Sequence, residues 1–303
     1  MKIMTAVIAI ESGKVDQKVI VSDEILKAYG SNIYINVNEE IMLKDLIYGL
    51  MLRSGNDAAL AIANFVSNST EEFVSLMNNK AKELNMTNTY FCNPHGLDEK
   101  CENISTARDM AILTKYANSI PFYKEVVGTK RYIAKTNLKT YDWYNKNKLL
   151  STYEYTTGGK TGFTEKAKRT LVTSATKDDL NLIVVTLNDP NDFQTHKQLY
   201  EYGFNNYKNY LILSKDNFEL INDYYDNLYI KDDIYYTLKE EEADQISVKY
   251  KLNKKKDLKN NDKVGVLEVY LNKTLIIEKN IYVSIKEKEK ESIFRKILNF
   301  FKW

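Results

Sequence analysis

Three short groups of polar residues in this sequence have types and spacing that could carry out chemistry together. One of them, Lys160-Thr161-Gly162-Phe163, follows two glycines and leads into the β-branched, alternating run 169–176. On a strand edge, lysine offers a point charge, threonine a hydroxyl donor, and glycine a place where a substrate backbone can come close. This combination is typical of a carboxylate-binding site. Taken alone, the triplet is better explained by a β-turn with an exposed lysine.

The other two groups are Ser54-Gly55-Asn56 and Lys2. Ser54-Gly55-Asn56 lies between apolar runs with helical spacing, 43–51 and 58–66, and Lys2 opens an apolar segment that predicts a buried helix. Ser54 and Asn56 could be mere helix caps, because both residue types favour that position. A lysine at a helix start, then Ser-x-Asn, then Lys-Thr-Gly is nevertheless the motif order of active-site serine enzymes that recognise penicillin.

On these motifs the chain resembles the low-molecular-mass penicillin-binding proteins, which are serine-type D-alanyl-D-alanine carboxypeptidases. Segments 93–97 and 105–110 are also similar to the family, so the resemblance covers nearly the whole sequence. It implies an α/β (α+β) fold, a β-lactamase/transpeptidase-like domain whose antiparallel sheet is flanked by helices. The implied activity is removal of the terminal D-Ala of peptidoglycan stem peptides through an acyl-serine intermediate. β-Lactam antibiotics are further implied ligands.

The resemblance also implies a role for each matching position. Lys2 would be the base of a Ser-x-x-Lys motif, Ser54 would relay a proton to the leaving group, and Asn56 would bind the substrate amide. The third motif and one later histidine would bind the substrate: Lys160, Thr161, Gly162, Phe163 and His196. His196 alone fits an ordinary surface histidine at least as well. No cofactor and no metal are expected.

The family's nucleophilic serine precedes the motif lysine by three residues, which falls two residues before Met1. We therefore expect residues 1–303 as written to be inactive, with a catalytically dead module that binds peptidoglycan stems as the alternative. The apolar segment 3–10 follows one basic residue and has no small-residue cleavage site, so it does not predict a signal peptide. By resemblance, the protein would act at the extracytoplasmic face of the bacterial membrane.

Composition narrows the class of protein. The 303 residues carry 43 basic and 41 acidic side chains, a net charge of +2 that does not favour nucleic acid as a partner. No run reaches the ~18 apolar residues that a membrane-spanning helix needs.

Near Tyr207 the sequence changes to short β-rich runs separated by charged turns. This change predicts three parts: residues 1–206, a carboxypeptidase domain without its N-terminal part; 207–285, a small all-β domain; and 286–303, an amphipathic helix.

The last part gathers apolar side chains on one side and basic ones on the other, which favours a helix that lies on a membrane surface. A helix docked on its own protein is the alternative. Within the first part, the pattern predicts helices over 39–52, 70–84, 106–117 and 191–202, and neighbouring antiparallel strands over 157–163, 169–176 and 180–187.

Cys92, His95 and Cys101 share one polar loop. Their spacing matches no zinc motif. A disulfide is favoured if the protein is exported, and two free thiols are the simplest case.

Overall fold

The computed structural model describes residues 1–97, 101–225 and 227–285. The chain forms two compact units, Met1–Asn205 and a second that begins at Asn206. Mixed helices and strands in the first unit, followed by strands in the second, confirm the predicted fold class. The amphipathic helix predicted over residues 286–303 lies outside the described residues.

The first unit contains eight α-helices and seven strands within the described ranges. Its helices are α1 (Lys2–Glu11), α2 (Leu43–Tyr48), α3 (Asn56–Ser67), α4 (Thr70–Glu83), α5 (Ala107–Ala117), α6 (Pro121–Gly128), α7 (Leu149–Thr152) and α8 (Asp192–Asn206). Its strands are β1 (Lys18–Ile20), β2 (Glu40–Met42), β3 (Arg131–Lys135), β4 (Thr140–Tyr144), β5 (Thr156–Thr164), β6 (Lys168–Lys177) and β7 (Leu180–Leu187). A 3₁₀ helix, Asp23–Lys27, and a π-helical turn, Gly49–Arg53, complete it.

The central sheet consists of β5, β6 and β7 in antiparallel order. Lys160 of β5 pairs with Val172 of β6, which pairs on its other side with Val185 of β7. The prediction that these three segments are neighbouring strands is confirmed. Within the described residues β5 pairs only with β6, so its other edge carries no partner strand.

Helices cover both faces of this sheet. Residues that alternate along a strand point to opposite faces. Val172 therefore joins the large core that includes α1, whereas Leu171 and Ala175 pack against Tyr200 of α8. Each fully buried aliphatic side chain contributes about 1.5–3 kcal/mol to stability.

Helix α1 lies inside the first unit. Seven consecutive residues, from Ile3 to Ala9, are buried, so the helix has no solvent-facing side over that stretch. Its apolar composition explains this position, since a helix that is hydrophobic all round is stable only when it is surrounded. The first residue of this helix is Lys2, which is partly buried at the start of that stretch.

The segment before Ser54 differs from its prediction. Residues 40–42 pair with 18–20 as strand β2, and the helix starts only at Leu43 rather than at residue 39. Backbone pairing with β1 outweighs the helical periodicity there. The following π-helical turn ends at Ser54, whose left-handed backbone (φ 66°, ψ 35°) reverses the chain into α3.

The second unit is built from strands and has its own core. Its strands are β8 (Lys208–Leu213), β9 (Leu228–Tyr229), β10 (Ile234–Leu238), β11 (Ile246–Leu252), β12 (Lys263–Leu271) and β13 (Thr274–Val283). They form an antiparallel sheet in the order β11-β12-β13-β9 and a separate β10-β8 pair. Leu267, Val269 and Ile281 are fully buried in its core. In neither unit does a described helix combine the length and the apolar content that crossing a bilayer requires.

Candidate active site

The Lys2 amine is held by two acceptors that come from distant parts of the chain. Its Nζ donates to Asn56 Oδ1 at 2.7 Å and to the carbonyl oxygen of His95 at 2.7 Å. One turn further along α1, the buried Thr5 hydroxyl donates to the Pro94 carbonyl at 2.7 Å. Helix α1 is thus fastened to the loop that precedes α5 at two successive carbonyls, and the Lys2 amine has a defined position.

The Lys2 amine is unusually acidic for a lysine. Its pKa is lowered from 10.5 to about 7, chiefly by burial and also by the charge of Lys146, while the charge of Asp57 opposes both effects. A lysine with a pKa near neutrality is present in part as the free amine at pH 7 and can accept a proton. This is the property that the base of an acyl-transfer site requires.

Asn56 is the first residue of α3, and both the oxygen and the nitrogen of its side-chain amide are hydrogen-bonded. Its oxygen accepts from Lys2, and its Nδ2 donates to the Tyr29 carbonyl at 2.6 Å. The side chain is 2% exposed and does not cap α3. The capping interpretation of Asn56 therefore finds no support in this geometry, whereas contact with Lys2 places the residue in the site.

Ser54 precedes Asn56 by two residues and adopts the left-handed backbone described above. Among the described residues its hydroxyl makes no hydrogen bond, and the side chain is partly buried. A non-glycine residue with positive φ is strained, and such residues concentrate at functional sites. The strained turn places Ser54 two positions before Asn56, whose side chain accepts from Lys2.

Lys160 points from β5 toward the same region. It is 8% exposed, and its Nζ donates to the Thr161 carbonyl at 2.7 Å. Burial lowers its pKa well below the usual value, and the charges of Lys2 and Lys146 lower it further. Repulsion of this kind weakens with distance, so it indicates a cluster of interacting amines, Lys2, Lys146 and Lys160. This interaction links Lys2 of the first motif to Lys160 of the third.

The glycines of the third motif allow close packing of β5. A Cβ on Gly158 would lie 2.4 Å from Val127 Cγ2, and one on Gly162 would lie 2.5 Å from Thr170 Oγ1. Gly158 thus lets β5 pack against α6, and Gly162 makes room for the Thr170 hydroxyl on β6. Thr161, between Lys160 and Gly162, is partly buried, whereas Phe163 is 62% exposed near the hairpin end.

The structure does not bring His196 to this cluster. His196 is fully buried on the other face of the sheet, where Nδ1 contacts the Thr173 hydroxyl at 2.6 Å and Nε2 the Thr186 hydroxyl at 3.0 Å. Burial lowers its pKa to about 4. Both ring nitrogens are engaged in the core, so the geometry supports neither the expected contact with a substrate carboxylate nor a surface histidine.

Two contributors to the site were missed from the sequence. Lys146 lies just before α7, and its charge lowers the pKa of both Lys2 and Lys160. The His95 carbonyl is a backbone group, so no residue type could have indicated it. The signal that could have indicated Lys146 is its place shortly before the third motif, but the sequence does not give its position in space.

Cys92 and Cys101 form a disulfide, with 6.1 Å between their Cα atoms. The bond closes the loop that carries the Pro94 and His95 carbonyls, and therefore supports the acceptors that hold α1. Neither thiol is free, so the simplest interpretation of the sequence does not apply.

Comparison with known proteins gives the same architecture. Residues 1–191 match the family described as D-alanyl-D-alanine carboxypeptidase, and residues 210–290 match the C-terminal domain of penicillin-binding protein 5. The solved structure of penicillin binding protein 5 from Haemophilus influenzae superposes with a TM-score of 0.76 and 27% identity, over 93% of this chain and 88% of that one. The fold is thus similar to that of a penicillin-binding protein of this type.

Two curated relatives extend the comparison. The carboxypeptidase DacF of Bacillus subtilis is 34% identical over 224 residues, which cover 71% of this chain and 57% of that protein. DacC of Escherichia coli is 37% identical over 185 residues, which cover 58% and 44%. The chain spans about half of the length of these relatives. It belongs to the D-alanyl-D-alanine carboxypeptidase family.

Proposed function

We propose that this protein is a carboxypeptidase that removes the terminal D-Ala from peptidoglycan stem peptides through an acyl-serine intermediate. The observation that carries the proposal is the Lys2 amine, fixed by Asn56 and the His95 carbonyl and with a pKa of about 7. A general base works best when its pKa lies near the working pH, and a buried lysine between two acceptors meets that condition.

The nucleophile in this proposal is a serine three residues before Lys2, a position that the 303-residue sequence does not include. Residues three apart on a helix share a face, so its hydroxyl would lie beside the Lys2 amine. Lys2 takes the hydroxyl proton as the oxygen bonds to the carbonyl carbon between the two D-alanines. The proton then passes to the departing D-Ala nitrogen, with the Ser54 hydroxyl as relay. Water hydrolyses the acyl ester by the reverse path.

Substrate binding is assigned to β5. The open edge of the strand can pair with the peptide backbone, and Lys160 with the Thr161 hydroxyl can take the terminal carboxylate. Because burial and two neighbouring cations hold the pKa of Lys160 low, an arriving carboxylate would raise it. A bound carboxylate would therefore favour the charged form of Lys160. β-Lactams, whose carboxylate lies beside an acylating carbonyl, would occupy the same groups.

The location belongs to the same proposal. The Cys92–Cys101 disulfide supports an oxidising compartment such as the outer face of the bacterial membrane. Attachment to a membrane surface through residues 286–303 rests on the sequence pattern. Vesicle flotation of the full chain beside a version that ends at Ile285 tests this attachment. Equal flotation of the two proteins would contradict membrane attachment through residues 286–303.

A fluorescent penicillin tests the catalytic proposal. Residues 1–303 and a version extended upstream through the serine are incubated with the reagent, with Lys2→Met in the extended version as the control. We expect covalent labelling of the extended version, loss of labelling in the control, and D-Ala release from an acyl-D-Ala-D-Ala peptide. Loss of a nucleophile that acts with its base removes around a millionfold of rate, so residues 1–303 should not label.

The other outcomes are equally informative. Labelling of residues 1–303 at a stoichiometry near one would contradict the assigned nucleophile and make Ser54 the first residue to test. An extended version that binds the peptide reversibly, but neither labels nor releases D-Ala, would show a stem-binding module instead of an enzyme.

A further inference from the structure

A buried carboxylate follows Asn56 directly and organises the loop in front of it. Asp57 is 3% exposed. Its oxygens accept from the backbone N–H groups of Ile33 at 2.9 Å, Tyr34 at 2.7 Å, Ile35 at 3.3 Å and Ala58 at 2.8 Å. A carboxylate buried this deeply is stable only when such donors replace its water. Three consecutive loop amides thereby depend on one side chain.

The same loop holds Asn56. The Tyr29 carbonyl accepts from Asn56 Nδ2 at 2.6 Å, and the Ser31 carbonyl accepts from the Asn56 backbone N–H at 2.7 Å. In return, the Asn32 side chain accepts from the Asp57 N–H at 3.2 Å. A carbonyl facing Nδ2 admits only one orientation of the amide, because the flipped amide would set oxygen against oxygen. The Asn56 oxygen is therefore turned toward Lys2.

We propose that Asp57 is a positioning residue, which fixes the loop 29–35 so that the Tyr29 carbonyl holds the Asn56 amide with its oxygen on the Lys2 amine. Asp57 makes no hydrogen bond to Lys2 and acts through Asn56. The orientation of the Asn56 amide follows from this geometry alone. The effect of that orientation on catalysis rests on the proposed function.

Charge adds a second effect of Asp57 on the site. The charge of Lys146 disfavours the ammonium form of Lys2 and that of Asp57 favours it, while Lys2 and Lys146 in turn lower the pKa of Lys160. Replacing Asp57 with a neutral residue leaves three amines without a nearby carboxylate. The amine of Lys2 should then lose its proton at lower pH, and the Asn56 amide should lose its fixed orientation.

The chain offers a matched control in Glu39, which is also fully buried. Its carboxylate accepts from the Asn36 N–H at 2.9 Å, the Thr136 hydroxyl at 2.7 Å and the Tyr141 hydroxyl at 2.9 Å. Glu39 thus ties the far end of the same segment to the β3–β4 turn and to β4, and none of these partners is bonded to Asn56. A general loss of stability should affect Glu39→Gln and Asp57→Asn alike, whereas an effect on Lys2 should be confined to Asp57→Asn.

The experiment is an NMR titration of lysine ε-carbons in the full chain, with the Lys2 signal assigned from Lys2→Arg. We expect Asp57→Asn to lower the pKa of Lys2 by roughly 0.5 unit or more, and Glu39→Gln to leave it unchanged. If Asp57→Asn does not fold, Asn32→Ala removes one bond of the same loop and should move the Lys2 signal in the same direction by less. An unchanged Lys2 titration in whichever of these variants folds would overturn the proposal.

Penicillin acylation of the serine-extended version separates this proposal from the function itself. Asp57→Asn should slow acylation at pH 7 about tenfold and move the rising limb of its pH profile to lower pH. Glu39→Gln should stay within about twofold. If the unmutated protein fails to acylate, the proposed function fails, and the NMR titration still decides the role of Asp57. A slower rate with an unmoved pH profile would mean a purely structural role for Asp57.

Discussion

Lys2 and Asn56 lie 54 positions apart in the sequence, and a 2.7 Å hydrogen bond joins their side chains. Each stands at the first position of its helix, so the bond connects the starts of α1 and α3. The contact makes the properties of the Lys2 amine depend on residues that no local pattern connects to it. Four predictions concern the charge beside this contact, the buried His196, the packing of β5 and the disulfide.

The first concerns the charge next to Lys2. Lys146→Met removes a cation that lowers the pKa of Lys2, so that pKa should rise from about 7 by roughly 0.5 unit. Added salt should raise it too, since ions screen the repulsion. The measurement is the NMR titration described above, with the exposed Lys115→Met as control. Equal titration of Lys2 in all three proteins would contradict the cluster of amines.

The second concerns acid stability. The pKa of His196 is about 4 in the folded chain and 6.5 when unperturbed, so between these values the unfolded chain binds a proton that the folded one does not. Stability should therefore fall as pH drops from 6.5 to 4, by up to about 3 kcal/mol from this group. Urea unfolding of His196→Gln should show a shallower fall over that window, although the variant is less stable at pH 7. Parallel curves for the two proteins would refute the assignment.

The third concerns the packing of β5. Gly162→Ala places a Cβ about where the Thr170 hydroxyl lies, at 2.5 Å, and should cost about 1–3 kcal/mol of unfolding free energy. Thr170→Ala in the same chain should recover most of that loss, because the next nearest atoms are 3.8 Å and 3.9 Å away. Thr170→Ser keeps the oxygen and serves as the control. Recovery by serine as large as by alanine would show that the hydroxyl is not the obstacle.

The fourth concerns the disulfide. Replacing Cys92 and Cys101 together by serine frees a loop of about ten residues and should lower stability by about 2–3 kcal/mol. Because the loop carries the His95 carbonyl, the NMR signal of Lys2 should broaden or shift as well. Reductant should produce the same change in the unmutated protein and none in the variant. A Lys2 signal that is insensitive to both treatments would separate the disulfide from the site.

The three strands of the central sheet could be predicted from the sequence because β-branched alternation and the turns between runs are local signals. The family motifs likewise predicted Lys2, Asn56 and Lys160 as site residues, and the structure joins the first two by a hydrogen bond. Residues 40–42 were predicted as helix because periodicity alone cannot reveal the pairing partner 18–20. Long-range pairing decided that segment.

The burial of polar side chains also could not be predicted from the sequence. His196 was expected near a substrate or on the surface, yet it lies under the sheet between two threonine hydroxyls. In the sequence, Asp57 is an ordinary charged residue near the start of a helix. Only the four backbone N–H groups that donate to it in the structure show that it organises a loop. In both cases the function of a polar side chain depends on which groups replace its water.

Because of the left-handed backbone at position 54, the residue that would be most stable there differs from the residue that the proposed function requires. Glycine adopts a φ of 66° without strain, and the position closes a helical turn, where glycine is the preferred residue. Ser54→Gly should therefore raise the unfolding free energy by about 1 kcal/mol while removing the hydroxyl assigned to proton relay. A variant that melts higher and acylates or deacylates more slowly is the expected result. Selection for thermal stability alone would replace this serine with glycine. The chain therefore retains, at this position, a residue that is less stable than glycine would be.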